Sequence, residues 1–164
     1  MKTEKTDFLF LLRTLAEHDV DFIVVGGVCA VLHGAPVSTF DLDVVHSRTP
    51  ENIDRLLKAL EKLDAYFRGQ GTRRIKPNKL HLSSPGHQLL ATVGGPLDLL
   101  GTIGKGRGYE ELLHQTVEFQ VGGNVKIRLL RLETLLEIKM ETARDKDIAA
   151  LPVIRRTIEE KNRK

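Results

Sequence analysis

Asp41-Leu42-Asp43 is the triplet with the clearest chemistry in this chain. Side chains alternate along a strand, so the two carboxylates project from one face and Leu42 from the other. Paired carboxylates are hard oxygen ligands of the kind Mg²⁺ takes, with water and phosphate oxygens completing its shell, as phosphoryl or nucleotidyl transfer requires. An acidic pair at a strand end is also commonly just solvated, so the triplet needs support. Asp98 supplies it as a lone acid in the otherwise apolar run Pro96-Leu-Asp-Leu-Leu100. Burying a carboxylate among leucines is costly unless a metal, a cation or a catalytic need compensates it. Gly26-Gly27 stands where a strand feeds a helix, either as a turn that aims backbone amides at an anion or as a tight turn only.

The elements that must position these residues show in the periodicity. Phe8, Leu11, Leu12 and Leu15 recur at helical spacing within residues 5–18. Asp21 to Val25 predicts a strand that stops at the glycine pair, and Val28 to Leu32 a buried helix ending near Gly34. Phe40 to His46 predicts the next strand. Thr49-Pro50-Glu51 opens a helix with a capping hydroxyl, a proline at the first position and an early acid. Its apolar stripe is Ile53, Leu56, Leu57, Leu60 and Leu63. Short strands are predicted at Ala65 to Phe67, Leu80 to Leu82, Gln88 to Val93 and Leu97 to Leu100, with turns at Pro85-Gly86 and Gly94-Gly95-Pro96. Tyr109 to His114 predicts a short helix, and Thr116 to Val121 with Asn124 to Leu129 a hairpin about Gly122-Gly123. Leu132 to Ala143 and Ile148 to about Lys161 predict two final helices, with Pro152 in the first turn of the second. The expectation is an α/β (α+β) chain, a mixed central sheet flanked by helices. With no repeat or Pro/Ser linker to divide it, residues 1–164 are expected to form a single domain.

Composition narrows the function classes. At 41% hydrophobic and 29% charged residues the chain reads as globular and neither disordered nor membrane-spanning. The apolar stretch Phe8 to Leu12 is closed by Arg13, far short of a span or a signal-peptide core, so a cytoplasmic location and no membrane partner are expected. The one cysteine, Cys29, excludes an internal disulfide and reads as a small buried hydrophobe. A net charge of +3 permits only weak attraction to phosphate-bearing partners. Aromatic residues are 5% of the chain and none is interleaved with a basic run, which argues against a base-stacking platform. An RNA-binding reading would rest on the short basic tail Lys161, Arg163 and Lys164 and on Arg73 to Lys79, within the basic stretch Gly69 to Lys79 that carries Arg73, Arg74, Lys76 and Lys79. That stretch is either a solvated loop or a cover for the mouth of the site. The six histidines lack paired metal spacing, which with a single cysteine argues against zinc. His46 is expected to be a solvated strand-end residue. Gly104-Lys-Gly-Arg-Gly108 is neither a dinucleotide fingerprint nor a P-loop.

Taken together, the strand, the glycine pair, Asp-x-Asp after a gap of thirteen residues and a third acid on a later strand resemble the nucleotidyltransferase superfamily with its minimal polymerase-β-like domain. The string Val25-Gly-Gly-Val-Cys-Ala30 with Ser38-Thr-Phe-Asp-Leu-Asp43 looks like the subgroup that includes AbiEii-type toxins. Leu135-Leu-Glu-Ile-Lys139 with Arg144, Lys146 and Asp147 is similar to that subgroup's closing helix. The resemblance spans residues 22–158 and implies a Mg²⁺- or Mn²⁺-dependent enzyme that moves a nucleoside monophosphate from an NTP, ATP among the possible donors, to a hydroxyl of a tRNA, a protein or a small molecule. It implies Asp41, Asp43 and Asp98 as metal ligands, with Asp98 also helping to deprotonate the acceptor, and Gly26, Gly27, Lys139 and Arg144 as nucleotide contacts. The alternative is a non-catalytic nucleotide-binding protein or a toxin or antitoxin partner on the same scaffold. Two positions depart from the family pattern. Gly27 stands where many members carry a hydroxyl, and Val37 where an arginine is common. Arg73, Arg74, Lys105 or Arg107 would then have to supply the missing charge.

Overall fold

The computed structural model describes residues 5–142 and 145–163, without the side chains of residues 145–147. In chain order it contains α1 (Phe8–Glu17), β1 (Phe22–Val25), α2 (Gly26–Leu32), β2 (Leu42–His46), α3 (Pro50–Lys62), β3 (Tyr66–Phe67) and α4 (Lys79–Ser83). There follow β4 (His87–Ala91), β5 (Leu97–Leu100), α5 (Tyr109–Leu112) with a 3₁₀ turn, β6 (Thr116–Val121), β7 (Val125–Leu130), α6 (Leu132–Glu141) and α7 (Asp145–Asn162). The seven strands form one mixed sheet in the order β3-β4-β5-β2-β1-β7-β6. Pairings β1–β7 and β2–β5 are parallel and the others antiparallel. The central strands β1 and β5 are buried at all four positions, which is why they read as continuous apolar runs rather than alternating ones.

The helix signals act as their chemistry dictates. Asp7 accepts the Phe10 amide at 3.0 Å to start α1, and Thr49 Oγ1 accepts the Asn52 amide at 3.3 Å ahead of Pro50 in α3. Two expectations fail. Leu80 to Leu82 is not a strand but lies in α4, where Asn78 Oδ1 accepts the His81 amide at 3.0 Å and His81 Nδ1 accepts the Asn78 amide at 3.1 Å. In a strand Leu80 and Leu82 would share a face. The helix instead leaves Leu80 81% exposed and buries Leu82 completely. Pro152 is not in a first turn either, because α7 begins at Asp145 and the proline falls in its interior. The carbonyl it deprives of a partner belongs to Ile148, an exposed residue, so water can replace the lost bond.

Register sets up the site. Val25 pairs with Asp43, Asp43 with Asp98 and Asp98 with Leu89, so one row crosses β1, β2, β5 and β4 on a single face of the sheet.

Candidate active site

The row brings the acids together. Asp41, at the mouth of β2, shares the face of Asp43, and one carboxylate oxygen from each of Asp41, Asp43 and Asp98 lies within 4.8 Å of the others. Such crowding of like charges in a poorly solvated place holds protons back. Burial, and then Asp41 and Asp98, push the Asp43 carboxyl up to about 8. Asp98 is raised too, mainly by burial, while Arg68 pulls it down. Asp43 Oδ1 is buried and accepts no hydrogen bond from any described residue. An all-oxygen donor set with an orphaned buried oxygen fits a hard divalent cation, which would replace the retained proton.

The glycines fit by what they lack. Gly26 has φ of +69°, and a Cβ on it would sit 2.3 Å from Asp43 Oδ2. A side chain there would evict the carboxylate. A Cβ on Gly27 would lie 2.6 Å from Thr39 Oγ1. The space that a hydroxyl side chain at position 27 would need is therefore filled by the hydroxyl of Thr39, which donates to the Asp41 carbonyl at 3.3 Å.

Two cavities meet at the acids. The smaller, about 320 Å³, is lined by Gly26, Gly27, Val37, Phe40, Asp41 and Asp43 among others, and by Lys139 of α6. The larger, about 530 Å³, opens on the other side of Asp43 and takes in Asp98 and Lys139. Lys139 thus stands at both, and its charge offsets part of the rise at Asp43. Arg144 lies outside the described residues.

Arg68 is the residue the sequence did not single out. Its Nη2 is 2.8 Å from Asp98 Oδ1, and its Nη1 donates to the Leu90 carbonyl at 2.6 Å. It falls just past β3, between the predicted strand and the predicted loop. The signal lay in period two, since Tyr66 and Arg68 share a face if the strand pairing runs on by one residue, and the Arg68 amide does donate to the Leu89 carbonyl at 3.0 Å. The residues suggested as substitutes for the arginine missing at position 37 are placed otherwise. Arg107 is held by Glu141 at 2.6 Å and Glu137 at 3.7 Å, Arg74 stacks 4.4 Å over Tyr66, and Arg73 and Lys105 line neither cavity at the acids; Lys79, in the same basic stretch as Arg73, pairs with Asp54 at 3.1 Å. Arg73, Arg74, Lys76 and Lys79 line neither cavity at the acids, so the basic loop does not cover the mouth. His46 is 1% exposed rather than solvated: its Nε2 donates to the Leu82 carbonyl at 2.8 Å, and its place in β2 turns it to the face opposite Asp43. Cys29 is buried as expected, its thiol pushed up to about 12 by that burial.

No family model matches the sequence, and no curated protein does. Among solved structures, the chain is similar to the lincosamide antibiotic adenylyltransferase LnuA in its lincomycin-bound form, with a TM-score of 0.63 at 13% identity over 93% of this chain and 98% of that one. It is similar to a candidate nucleotidyltransferase from Thermotoga maritima, with a TM-score of 0.56 at 17% identity over 93% and 91%. An antigenic nucleotidyltransferase-like protein from Paracoccidioides brasiliensis matches with a TM-score of 0.51 at 16% identity, covering 93% of this chain and 78% of that chain. None of the three is described as an AbiEii-type toxin. The sheet order, the flanking helices and these likenesses define the nucleotidyltransferase fold. Among the described residues no helix is long and apolar enough to cross a membrane.

Proposed function

We propose that this protein transfers a nucleoside monophosphate from an NTP to an acceptor hydroxyl. The observation that carries this reading is the convergence of Asp41, Asp43 and Asp98 beside a glycine whose missing Cβ leaves room for the Asp43 carboxylate. The three acids would hold Mg²⁺ or Mn²⁺, which when bound neutralises phosphate charge and polarises the phosphoryl oxygens. The NTP occupies the smaller cavity. The Gly26 and Gly27 turn faces its phosphates, Lys139 supplies a positive charge, and the ring of Phe40, 78% exposed at the rim, stacks on the base. Asp98 accepts the proton of the acceptor hydroxyl from the side of the larger cavity. As that proton leaves, the hydroxyl oxygen forms its bond to the α-phosphorus, the bond from the α-phosphorus to the bridging oxygen breaks, and pyrophosphate departs with the electron pair. Arg68 keeps Asp98 oriented for this task and offsets part of the rise that burial gives its carboxyl.

The test is incubation with each α-labelled NTP and Mg²⁺ or Mn²⁺, in the presence of total tRNA, candidate proteins or a small-molecule extract. Label transfer with equimolar pyrophosphate is expected, and it disappears in Asp41→Asn. Pyrophosphate release from no NTP under any of these conditions would overturn the reading.

A further inference from the structure

We propose that the acceptor is a small molecule carrying its hydroxyl on a compact apolar body and seated between β4, β5 and α6; this rests on the transfer reading above. The two cavities divide the acids between them. Asp43 lines both, Asp41 only the smaller and Asp98 only the larger. A proton acceptor must lie beside the nucleophile, so the hydroxyl belongs on the Asp98 side.

The walls of that side are apolar: Leu89, Leu100, Ile103, Leu135 and Ile138. Register makes them so. Leu89 stands directly opposite Asp98, Leu100 lies two residues further along the same face, and α6 brings Leu135 and Ile138 to the same cavity. Leu89 is 45% exposed in this row, an open apolar surface beside a buried carboxylate. The volume of about 530 Å³ falls within the roughly 300–1,000 Å³ of small-molecule sites, which combine apolar walls with a few polar groups. His87 is one such group. Its Nε2 lies 2.9 Å from the Thr102 carbonyl and must donate to it, which leaves Nδ1 for a second polar group of the ligand.

A nucleic-acid acceptor would instead require cations to follow its phosphates. Among the described residues Lys139, which the triphosphate side shares, is the one lysine or arginine that lines this cavity, and the two arginines nearest it are engaged elsewhere. Arg107 is tied to Glu137 and Glu141, and Arg68 to Asp98.

Methyl NMR of the full chain, with single alicyclic and aryl alkanols as probes, reads the cavity without turnover. The alkanols are expected to shift the Ile103 and Ile138 methyls and leave Ile154 unmoved, whereas MgATP moves Ile154. Leu89→Arg should abolish the alkanol shifts while the MgATP shift persists. The proposal is overturned if no alkanol moves Ile103 or Ile138, or if the shifts survive Leu89→Arg. Label transfer onto total tRNA that survives Leu89→Arg would also overturn it, in favour of a nucleic-acid acceptor. If none of the four MgNTPs moves a methyl while the alkanols still shift Ile103 and Ile138, it is the transfer reading that falls, and the acceptor role falls with it.

Discussion

Two polar side chains flank β2, buried Asn52 of α3 beyond its far end and half-buried Asp43 at its near end, and the fold treats them in opposite ways. Beyond the far end Asn52 is completely buried and fully used: its Oδ1 accepts the Asp21 amide at 2.7 Å, and its Nδ2 donates to the carbonyls of Ser47 at 2.7 Å and Asp21 at 3.1 Å. At the near end Asp43 faces two other carboxylates and leaves Oδ1 without a partner. Burial with every bond made fastens α3 to the ends of β1 and β2. Burial with a bond missing and a proton retained is a cost that folding alone does not explain.

Exchanging the two roles gives the largest expected effects. Asp43→Asn should lower nucleotidyl transfer by more than about a hundredfold, since even the outer-shell partners of metal ligands are worth 10–100-fold. Its thermal stability should hold. The sign follows from the proton: with Asp43 raised from 3.8 to about 8, the folded metal-free protein binds more protons than the unfolded chain between those values and loses stability as pH rises through that window. Asparagine removes the loss, so at pH 8 the metal-free variant should melt at or above the wild type. Asn52→Ala should do the reverse, costing about 2–3 kcal/mol in denaturant unfolding through the backbone groups it leaves unpaired, with turnover of the folded fraction near wild type.

How much of this contrast the sequence disclosed depends on the period of the signal. Alternation in Asp41-Leu42-Asp43 and the lone Asp98 in an apolar run located all three acids, because period two and burial cost are local properties. The cap at Thr49-Pro50 located α3 for the same reason. Arg68 was missed because its role depends on β3 pairing one residue further along β4 than propensity suggests. Leu80 to Leu82 was read as a strand because the Asn78 cap, reciprocated by His81 rather than by Glu or Gln, is a weaker signal. His46 does end β2, but it reads as solvated because nothing local shows that α4 would bring the Leu82 carbonyl to it.

Smaller effects sharpen the comparison at the near end. Gly26→Ala sets a Cβ against Asp43 Oδ2 at a positive φ, so activity should fall at least about tenfold with a stability loss of about 1–3 kcal/mol. Asp43→Ala in the same chain should recover part of that stability and none of the activity, as thermal melts and label transfer would show. Phe40→Ala should raise the KM for NTP about tenfold with kcat little changed, the loss of one base–aromatic stack, whereas Phe40→Tyr should keep the wild-type value.

The most direct test of the central claim is a Mn²⁺ titration followed by electron paramagnetic resonance, from pH 6 to 8, on the wild type and Asp43→Asn. Because the cation must displace one proton held at a site near 8, wild-type affinity should rise about tenfold per pH unit up to that value, and Asp43→Asn should bind weakly with no such slope. Equal Mn²⁺ affinity in the two proteins across this range would contradict the account.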